Sequence, residues 1–381
     1  MKAFCLNKIS KVAIDNLKNP DTVVDKIEDA DSILVRSQQM IDMDLGDNIL
    51  AVARAGAGVN NIPLEKYANK GVVVFNTPGA NANAVKELVI AGLLLSSRDI
   101  IGGNKWIDEN KNDPDIAKTA EKAKAKFAGN ELLGKNIAVI GLGAIGVKVA
   151  NACLSLGMNV KGYDNFLAIN NAMELNRNIN YVEKIEEAVK DCDFITIHVP
   201  LLDSTRGMID KKLISNLKDG AVILNFARDT LVNEDDLKEA LENGKIKKYV
   251  TDFVNASVVT FPNTIILPHL GASTEEAEDN CAIMAVNELK DYLENGNITH
   301  SVNYPDLNAG MKVGTRITIH HKNIPGMIAE FTALIKGEGG NIINFTSKAK
   351  GDFAYSVLDV EGKFNENEIK DIDGVLRVRV L

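Results

Sequence analysis

The sequence predicts an α/β protein with two doubly wound parallel-sheet domains and a smaller ferredoxin-like α+β domain at its C-terminal end. Three observations support this prediction. Short apolar strands alternate with longer helical patterns up to about residue 300, as in stacked βαβ units. A glycine-rich turn follows the apolar run at 136–140. Beyond residue 311 the strands alternate apolar and polar residues instead, and 381 residues suffice for two or three domains.

The first domain begins with four apolar segments that have the length and composition of strands, at 2–6, 32–36, 49–53 and 72–75. A helix is predicted from Asn83, whose side chain can cap it, to about residue 97. The polar stretch 98–130, which contains Trp106, is expected to be helical and to lie on the surface or at a subunit contact.

The second domain contains six predicted strands, which are enough for one complete doubly wound sheet. They are expected at 136–140, 159–163, 193–198, 221–227, 249–253 and 264–267. A long helical pattern at 274–294 follows and is expected to cross back onto the first domain. We therefore predict a discontinuous first domain at 1–98 and 275–303, with the second domain at 99–274.

The third domain is predicted at 313–381, after a linker rich in turn-forming residues at 296–311. Its pattern is strand, helix, strand, strand, short helix and strand, which is the order of a ferredoxin-like βαββαβ module. The elements are expected at 314–321, 326–335, 341–348, 353–360, 365–372 and 375–381.

A dinucleotide fingerprint opens the second domain: Gly141, Gly143 and Gly146 follow a strand and begin a helix, and Asp164 ends the next apolar run. The first glycine permits the tight turn, the second lets the backbone approach a pyrophosphate, and the third lets helix and strand pack closely. A carboxylate at Asp164 accepts from a ribose 2′-hydroxyl and repels a 2′-phosphate, which favours NAD over NADP. The alternative is a glycine turn with a purely structural role.

Composition excludes several classes of function. The formal net charge of −9, from 43 basic and 52 acidic side chains, argues against a nucleic-acid-binding surface. The four cysteines are far apart, so a metal site is not predicted, and buried reduced thiols in a cytoplasmic protein are expected. The N-terminal segment lacks the apolar core of a signal peptide, and the longest apolar run, 88–95, is too short to span a membrane.

Two side chains at strand ends are candidates for chemistry. Arg228 and His269 each follow a strand of the second domain, and ligands of such sheets bind outside the carboxyl ends of the strands. Imidazole can exchange a hydroxyl proton, and a guanidinium can hold a carboxylate or a polarised carbonyl. The structural alternative for an arginine at this position is a surface ion pair. His198 also ends a strand but is expected to border the adenosine side.

A second group of candidates lies in the first domain. The glycine-rich loop of Gly56 to Val59 follows a strand, and its amides can form a nest for a carboxylate. A simple tight turn is an equally good interpretation of the loop. Lys8, Arg36 and Arg54 also lie at strand ends, where each is either an anion ligand or a solvated charge.

Several motifs in one order resemble the D-2-hydroxyacid dehydrogenases over residues 1 to 300. They are Val35-Arg-Ser, Arg54-Ala-Gly-Ala-Gly-Val-Asn-Asn-Ile, Asn76-Thr-Pro, Gly141-Leu-Gly-Ala-Ile-Gly, Asp193-Phe-Ile-Thr-Ile-His-Val-Pro-Leu, Asn225-Phe-Ala-Arg and Pro268-His-Leu-Gly-Ala-Ser-Thr. The resemblance implies NAD-linked oxidation of 3-phosphoglycerate to 3-phosphohydroxypyruvate by a substrate-binding first domain and a Rossmann second domain. It implies that Arg228 holds the substrate and His269 is the acid/base.

The same resemblance supplies the remaining binding residues. It implies that the amides of Ala57, Gly58 and Val59 hold the substrate carboxylate and that Asp252 lies near the nicotinamide carboxamide. Arg36 and Arg54 are assigned to substrate binding from their positions at strand ends. The residues assigned to cofactor binding are Gly141, Gly143, Ala144, Ile145, Gly146, Asp164, His198, Val199, Pro200, Phe226, Ala227, Asp252, Gly271 and Ala272.

The third domain resembles the ACT domain, a small amino-acid sensor. His321, Asn323 and Asn341 match the family's serine-binding positions, so the resemblance implies feedback inhibition by L-serine. The alternative is an oligomerisation module without a ligand. A homodimer or homotetramer is expected.

Two departures from the family pattern affect the site. The family's catalytic glutamate, which pairs with the histidine, is replaced by Ser257. Our hypothesis is that His269 acts without a glutamate or uses another acid. Asp229 follows Arg228 where the family has a glycine, and its carboxylate would weaken anion binding unless it points away.

Two competing functions remain open at this stage. One is a reductase of glyoxylate, hydroxypyruvate or another small 2-oxo acid, which differs in phosphate preference. The other is a non-catalytic NAD-sensing regulator, against which the presence of both Arg228 and His269 argues.

Overall fold

The computed structural model describes residues 1–15 and 22–381, which form two compact units. The split unit consists of Met1–Asn81 and Glu275–Leu381, and the central unit consists of Ala82–Thr274. The sequence places the first change of domain at residue 98, whereas the structure places it before helix α3 (Ala82–Ser97). The reason is packing: Gly92 of this helix lies against Leu224 and Phe226 of the central unit.

The first sheet of the split unit has five parallel strands in the described residues, in the order β2-β1-β3-β4-β5. They are β1 (Ala3–Cys5), β2 (Val23–Val24), β3 (Ser32–Val35), β4 (Ala51–Arg54) and β5 (Val73–Asn76). Around them lie α1 (Lys11–Asp15), α2 (Leu64–Ala68) and α11 (Glu275–Asn295). The sequence predicts four of these strands and misses β2, because two residues are too few to show a periodicity.

The second sheet of the split unit is antiparallel, with the order β14-β15-β13-β16. Its strands and helices are β13 (Thr315–Lys322), α12 (Met327–Gly337), β14 (Asn341–Lys350), β15 (Phe353–Glu361), α13 (Glu366–Lys370) and β16 (Val375–Val380). This is the ferredoxin-like arrangement that the sequence predicts.

The two sheets of the split unit share one hydrophobic core, which the sequence does not predict. Tyr355 of β15 and Phe75 of β5 are fully buried in the same cluster, together with Tyr292 of α11. The ring of the buried His320 contacts Tyr355 at 4.6 Å and Tyr304 at 4.9 Å between centroids. The C-terminal sheet is therefore packed onto the first sheet and α11 rather than attached only through its linker.

Arginines of the C-terminal sheet also bind the carboxyl end of α11. Arg379 donates to the carbonyl oxygens of Tyr292 at 3.3 Å and Leu293 at 2.9 Å, and Arg316 donates to that of Asn295 at 2.8 Å. The carbonyls at the end of a helix carry partial negative charge, so guanidinium groups stabilise them.

The central unit, all of whose residues are described, has a seven-stranded parallel sheet in the order β12-β11-β10-β9-β6-β7-β8. The strands are β6 (Asn136–Ile140), β7 (Asn159–Tyr163), β8 (Asn180–Val182), β9 (Phe194–Ile197), β10 (Ala221–Asn225), β11 (Ile246–Thr251) and β12 (Thr264–Ile266). The sequence predicts all but the short edge strand β8. The order reverses between β6 and β9, which is where a doubly wound sheet opens its ligand crevice.

The helices of the central unit cover its sheet and form the polar segment at 98–130. Besides α3 they are α4 (Ile100–Glu109), α5 (Ile116–Ala123), α6 (Ala144–Ser155), α7 (Ile169–Glu174), α8 (Ile185–Val189), α9 (Lys211–Ser215) and α10 (Glu234–Glu242). The segment 98–130 contains α4 and α5, in agreement with the helical character that the sequence predicts, and Trp106 packs on Phe127 at 6.4 Å between ring centroids.

Three further expectations concern the chain as a whole. All four cysteines are free thiols, with Cys153, Cys192 and Cys281 buried. None of the helices in the described ranges has the length and apolar character to cross a membrane. Within those ranges no cluster of three or more histidine, cysteine or acidic side chains is arranged to hold a metal ion.

Glu288 on α11 is a buried acid whose replacement should stabilise the protein at alkaline pH. Its Oε1 lies 2.8 Å from Nδ1 of His300, and burial, with the nearby charge of Asp306, raises the pKa of Glu288 from 4.5 to about 9. At pH values between these two pKa values, Glu288 is protonated in the folded protein but ionised in the unfolded chain. The free energy of unfolding therefore falls as the pH rises through this range. We expect Glu288→Gln to add about 1–3 kcal/mol near pH 8 and almost nothing near pH 4.

Denaturant unfolding at the two pH values measures this effect, and Glu294→Gln, at an exposed position of the same helix, is the matched control. A loss of stability in Glu288→Gln near pH 8 would show instead that a charged glutamate–imidazolium pair stabilises the fold.

Candidate active site

The glycine turn has the geometry that a dinucleotide requires. Gly141 has a φ of +93°, and a Cβ on Gly146 would lie 1.8 Å from the Gly141 carbonyl oxygen, so both positions exclude side chains. A Cβ on Gly143 would meet no protein atom within 4 Å. The backbone at Gly143 is therefore accessible to a ligand, and α6 begins directly after it at Ala144. The first amides of this helix, including those of Ala144, Ile145 and Gly146, have no intrahelical acceptor and suit a pyrophosphate.

Asp164 lies beside this turn at the end of β7. Its Oδ2 accepts from the Leu142 amide at 2.7 Å, and its Oδ1 accepts from the Phe166 amide at 2.8 Å. Two amide donors fix the carboxylate next to the glycine turn, where an acid for the ribose hydroxyl is expected.

His198, Val199 and Pro200 follow β9, on the other side of the point where the strand order reverses. Nε2 of His198 lies 2.9 Å from Thr196 Oγ1, and Nδ1 has no partner among the described residues. Burial lowers the pKa of His198 from 6.5 to about 3. A ring that stays neutral near pH 7 is unsuited to exchange protons in turnover, which agrees with an adenosine-side position.

Arg228 follows Phe226 and Ala227 at the carboxyl end of β10. Its Nη1 donates to the Ala227 carbonyl at 2.6 Å, and its own carbonyl accepts from Asn225 Nδ2 at 2.7 Å. Asp229 Oδ1 accepts from the Thr230 amide at 2.8 Å. No ion pair joins Asp229 to Arg228 in the described part of the chain, so the carboxylate does not neutralise the guanidinium directly.

Asp252 is a buried acid of the central unit. It follows β11, is 2% exposed, and its Oδ2 accepts from the Gly271 amide at 2.9 Å. Burial raises the pKa of Asp252, while that hydrogen bond and the charges of His269 and Arg228 oppose the rise. Its Oδ1 is buried without a partner in the described residues, and a ligand amide would satisfy it.

His269 follows β12 and has a φ of +49°. Its amide donates to the carbonyl oxygens of Asp252 at 2.9 Å and Leu267 at 3.0 Å, and its exposed side chain packs edge-to-face on Phe253 with 4.9 Å between ring centroids. The sequence analysis does not select Phe253, although an aromatic residue directly after Asp252 is a signal for it.

Ser257, at the position of the family's glutamate, forms no hydrogen bond to His269 within the described residues. Its amide donates to Asn255 Oδ1 at 3.0 Å, and Asn255 Nδ2 in turn donates to Glu234 Oε1 at 2.7 Å. The carboxylate of Glu234 therefore holds this loop, and Asp252 is the acid that interacts with His269 electrostatically.

In the split unit, side chains of other residues bind the carbonyl oxygens of the loop formed by Ala57, Gly58 and Val59, while its amides stay free. Arg54 donates to the carbonyl oxygens of Arg36 and Gly58, and Asn76 Nδ2 donates to that of Ala57 at 2.6 Å. None of the amides of Ala57 to Val59 donates to an acceptor in the described residues. The loop therefore has the form of an anion nest.

Arg36 forms an ion pair with Glu278, with 2.7 Å between Nη1 and Oε1. Both side chains are more than a third exposed, so water screens the pair and an anionic ligand can compete for the guanidinium.

The three residues assigned to effector binding do not lie together in one chain. His321 pairs with Ala354, and Asn341 pairs with Glu361, so their partners are seven positions apart on β15. At about 3.3 Å per residue this separates them by roughly 23 Å. Asn323 lies at the His321 end, where its amide group donates to the Gly351 carbonyl at 3.0 Å.

His321 faces α12 and lies on the opposite side of β13 from His320. Its ring packs on Phe331 at 5.1 Å, and its Nε2 lies 2.9 Å from Ser356 Oγ. Burial lowers the pKa of His321, so the ring is neutral near pH 7.

These features define an NAD-dependent oxidoreductase, because the glycine turn, the ribose acid and the unpartnered buried Oδ1 of Asp252 all fit the cofactor. Residues 90–271 match the model of the D-isomer specific 2-hydroxyacid dehydrogenase NAD binding domain. The chain is 30% identical over 379 residues to a D-3-phosphoglycerate dehydrogenase of Haemophilus influenzae, covering 95% of this chain and 89% of that protein.

Two further comparisons agree. A hydroxypyruvate reductase of Thermotoga maritima is 34% identical over 281 residues, which are 71% of this chain and 87% of that protein. The crystal structure of NAD⁺-bound 3-phosphoglycerate dehydrogenase of Entamoeba histolytica superposes with a TM-score of 0.61 at 27% identity, covering 81% and 99% of the two chains. The protein belongs to the D-2-hydroxyacid dehydrogenase family and uses NAD.

Removal of the Asp164 carboxylate should change the cofactor preference. We expect Asp164→Ala to raise KM for NAD about 10–100-fold, because a charged hydrogen bond to the ribose is lost. KM for NADP should change much less, because the substitution also removes the repulsion of the 2′-phosphate. Steady-state kinetics with both cofactors measure the ratio of kcat/KM values. Asp164→Asn separates charge from shape, and an unchanged ratio in both variants would contradict the assignment.

Proposed function

We propose that this protein oxidises 3-phospho-D-glycerate to 3-phosphohydroxypyruvate with NAD, which is the first step of L-serine biosynthesis, and that L-serine inhibits it. The observation that carries the proposal is the extent of the similarity. The D-3-phosphoglycerate dehydrogenases of Haemophilus influenzae and Escherichia coli match over 379 and 378 residues, whereas the hydroxypyruvate reductase matches over 281. In the matches to these two phosphoglycerate dehydrogenases the similarity extends into the C-terminal sheet, whereas a phosphoglycerate dehydrogenase of Methanocaldococcus jannaschii matches over 311 residues.

The residues of the central unit account for the chemistry. The guanidinium of Arg228 holds the substrate carboxylate or the developing carbonyl with paired donors. His269 takes the hydroxyl proton during oxidation and returns it during reduction, and its exposure lets it exchange that proton with water. NAD, when bound, accepts the hydride. Asp252 offers its buried Oδ1 to the carboxamide of the cofactor.

The residues of the split unit account for binding of the anionic substrate. The free amides of Ala57 to Val59 suit a carboxylate, and Arg36 and Arg54 add positive charge. A phosphorylated substrate carries two anionic groups, so this concentration of donors supports 3-phosphoglycerate over unphosphorylated glycerate.

The proposed serine site requires two copies of the chain. Because one chain keeps Asn341 about 23 Å from His321, we propose that His321 and Asn323 of one copy and Asn341 of another bind the same ligand. β14 supports this assembly, because it is an edge strand whose Ile343 and Phe345 are each 37% exposed.

NADH formation from a panel of 2-hydroxy acids, each with and without L-serine, tests the proposed function. We expect 3-phosphoglycerate to be oxidised with a kcat/KM at least about 100-fold above that for glycerate, since a phosphate held by charged donors contributes several kcal/mol. Equal use of the two acids would favour the alternative of a glyoxylate or hydroxypyruvate reductase. Serine inhibition that survives Asn341→Ala would contradict the two-copy site.

A further inference from the structure

The imidazole of His269 packs against an aromatic ring. Ser257 stands where the family resemblance places a glutamate, and the ring of His269 lies against Phe253. We propose that Phe253 is a positioning residue, whose ring holds the imidazole of His269 in the orientation needed for proton transfer. The inference deepens the proposed function and rests on it, since it assumes that His269 exchanges the substrate proton.

The backbones of both residues are fixed. The Phe253 amide donates to Thr251 Oγ1 at 3.1 Å, and that hydroxyl donates to the Asn225 carbonyl of β10 at 2.9 Å. The His269 amide is shared between two carbonyl oxygens, and its φ of +49° is a conformation that non-glycine residues rarely adopt. With the backbone fixed, the orientation of the imidazole depends on its side-chain torsions alone.

No hydrogen bond fixes those torsions. In the described part of the chain neither ring nitrogen of His269 has a hydrogen-bond partner, whereas the rings of the other four histidines each have at least one. The two rings of Phe253 and His269 meet at 72° with 4.9 Å between centroids, which is the favoured edge-to-face geometry of aromatic pairs. Phe253 therefore limits the imidazole without occupying a nitrogen, and both nitrogens remain available for substrate and water.

In this arrangement Phe253 directs the ring of His269. During oxidation the substrate C–H bond gives its hydride to NAD, the O–H bond gives its proton to His269, and a C=O bond forms. NADH, the 2-oxo acid and an imidazolium result, and the exposed imidazolium releases its proton to water.

Phe253→Leu tests the proposal, because leucine fills much of the space but cannot form the ring contact. We expect kcat to fall about 10–100-fold, as for a misplaced catalytic group, with KM and the Kd for NADH changed less than about threefold. The solvent deuterium isotope effect on kcat should rise, because proton transfer becomes rate-limiting. Phe253→Tyr keeps the ring and should stay within about threefold of the parent, as should Val254→Ala at the exposed neighbouring position.

A kcat for Phe253→Leu within about threefold of the parent would overturn the proposal, and so would an equal loss in Phe253→Tyr. Retained NADH binding, measured by fluorescence, confirms that the variants are folded. Failure of the parent protein to oxidise any 2-hydroxy acid would instead refute the proposed function, so the two failures are distinguishable.

Discussion

His269→Ala should lower kcat for 3-phosphoglycerate oxidation by about 10²–10⁴-fold, while the Kd for NADH stays within a few-fold. Without the imidazole the proposed site loses its base, and His198 is a poor substitute because burial lowers its pKa to about 3. Stopped-flow and steady-state measurements of NADH formation give kcat, and NADH fluorescence gives the Kd.

His300→Ala is the matched control, since it removes a histidine of the split unit that has no place in the proposed chemistry. Its kcat should equal that of the parent. If His269→Ala kept more than about a tenth of the parental kcat with NADH binding intact, His269 would not be the acid/base, and the regulator alternative would gain support.

Asp359→Ala should destabilise the C-terminal sheet by about 3–5 kcal/mol, because it leaves the buried Arg316 without its counter-ion. The two side chains are 1% and 0% exposed, and Arg316 donates to both carboxylate oxygens, at 2.7 and 2.9 Å. Arg316 also donates to carbonyl oxygens beyond the sheet, so its charge cannot move to water without undoing the packing on α11.

Hydrogen exchange of the amides of β13 to β16 measures this loss in the full chain. The fluorescence of Trp106 reports separately on the central unit, which should be unaffected. Asp352→Ala, at an exposed position next to β15, is the control. Protection that is equal in Asp359→Ala and the parent would show that the ion pair does not stabilise the sheet.

The same ion pair gives this sheet a dependence on acid pH. Burial alone raises the pKa of Asp359, but hydrogen bonds from Arg316 and Asn344 and the charge of Arg316 outweigh it and leave the pKa below 3.8. Because the pKa of Asp359 is lower in the folded state, the ion pair contributes its full stability at pH values above the unfolded-state pKa. This contribution is lost as the pH falls through the folded-state pKa. The exchange protection of the sheet should therefore fall below about pH 4 in the parent and not in Asp359→Ala.

Much of the fold was predictable because its signals are local. A parallel strand buried on both faces is a continuous apolar run, so β3, β6, β9 and β10 are visible in the sequence. The glycine turn is visible for a similar reason, since steric limits at Gly141 and Gly146 act within one strand–turn–helix segment. The edge strands β2 and β8, with two and three residues, are too short to give such a signal.

The sheet on which α3 packs could not be predicted from local sequence. Its sequence predicts a helix with an apolar face but does not say which sheet that face covers. Close packing of Gly92 against Leu224 and Phe226 places this face on the sheet of the central unit. These two residues are more than 130 positions away along the chain.

In the candidate site, the residues at the strand ends were predictable from the sequence, but their side-chain contacts were not. Arg228 and His269 were selected from their positions at strand ends, because the carboxyl ends of parallel strands meet at one edge of a sheet, whereas Asp252 was selected from the family resemblance. That Phe253 rather than a carboxylate contacts the imidazole, and that Asp229 binds its neighbour's amide, depend on side-chain torsions and not on spacing.

The sequence by itself determined the order of elements, the cofactor turn and the residue types at the strand ends, because each depends on contacts within a few dozen residues. Only the tertiary structure decided that the C-terminal sheet packs on α11, that Arg316 and Asp359 are buried together, and that one chain separates Asn341 from His321. These features depend on pairings between distant segments, whose free energy comes from packing and desolvation and leaves no periodic trace along the chain.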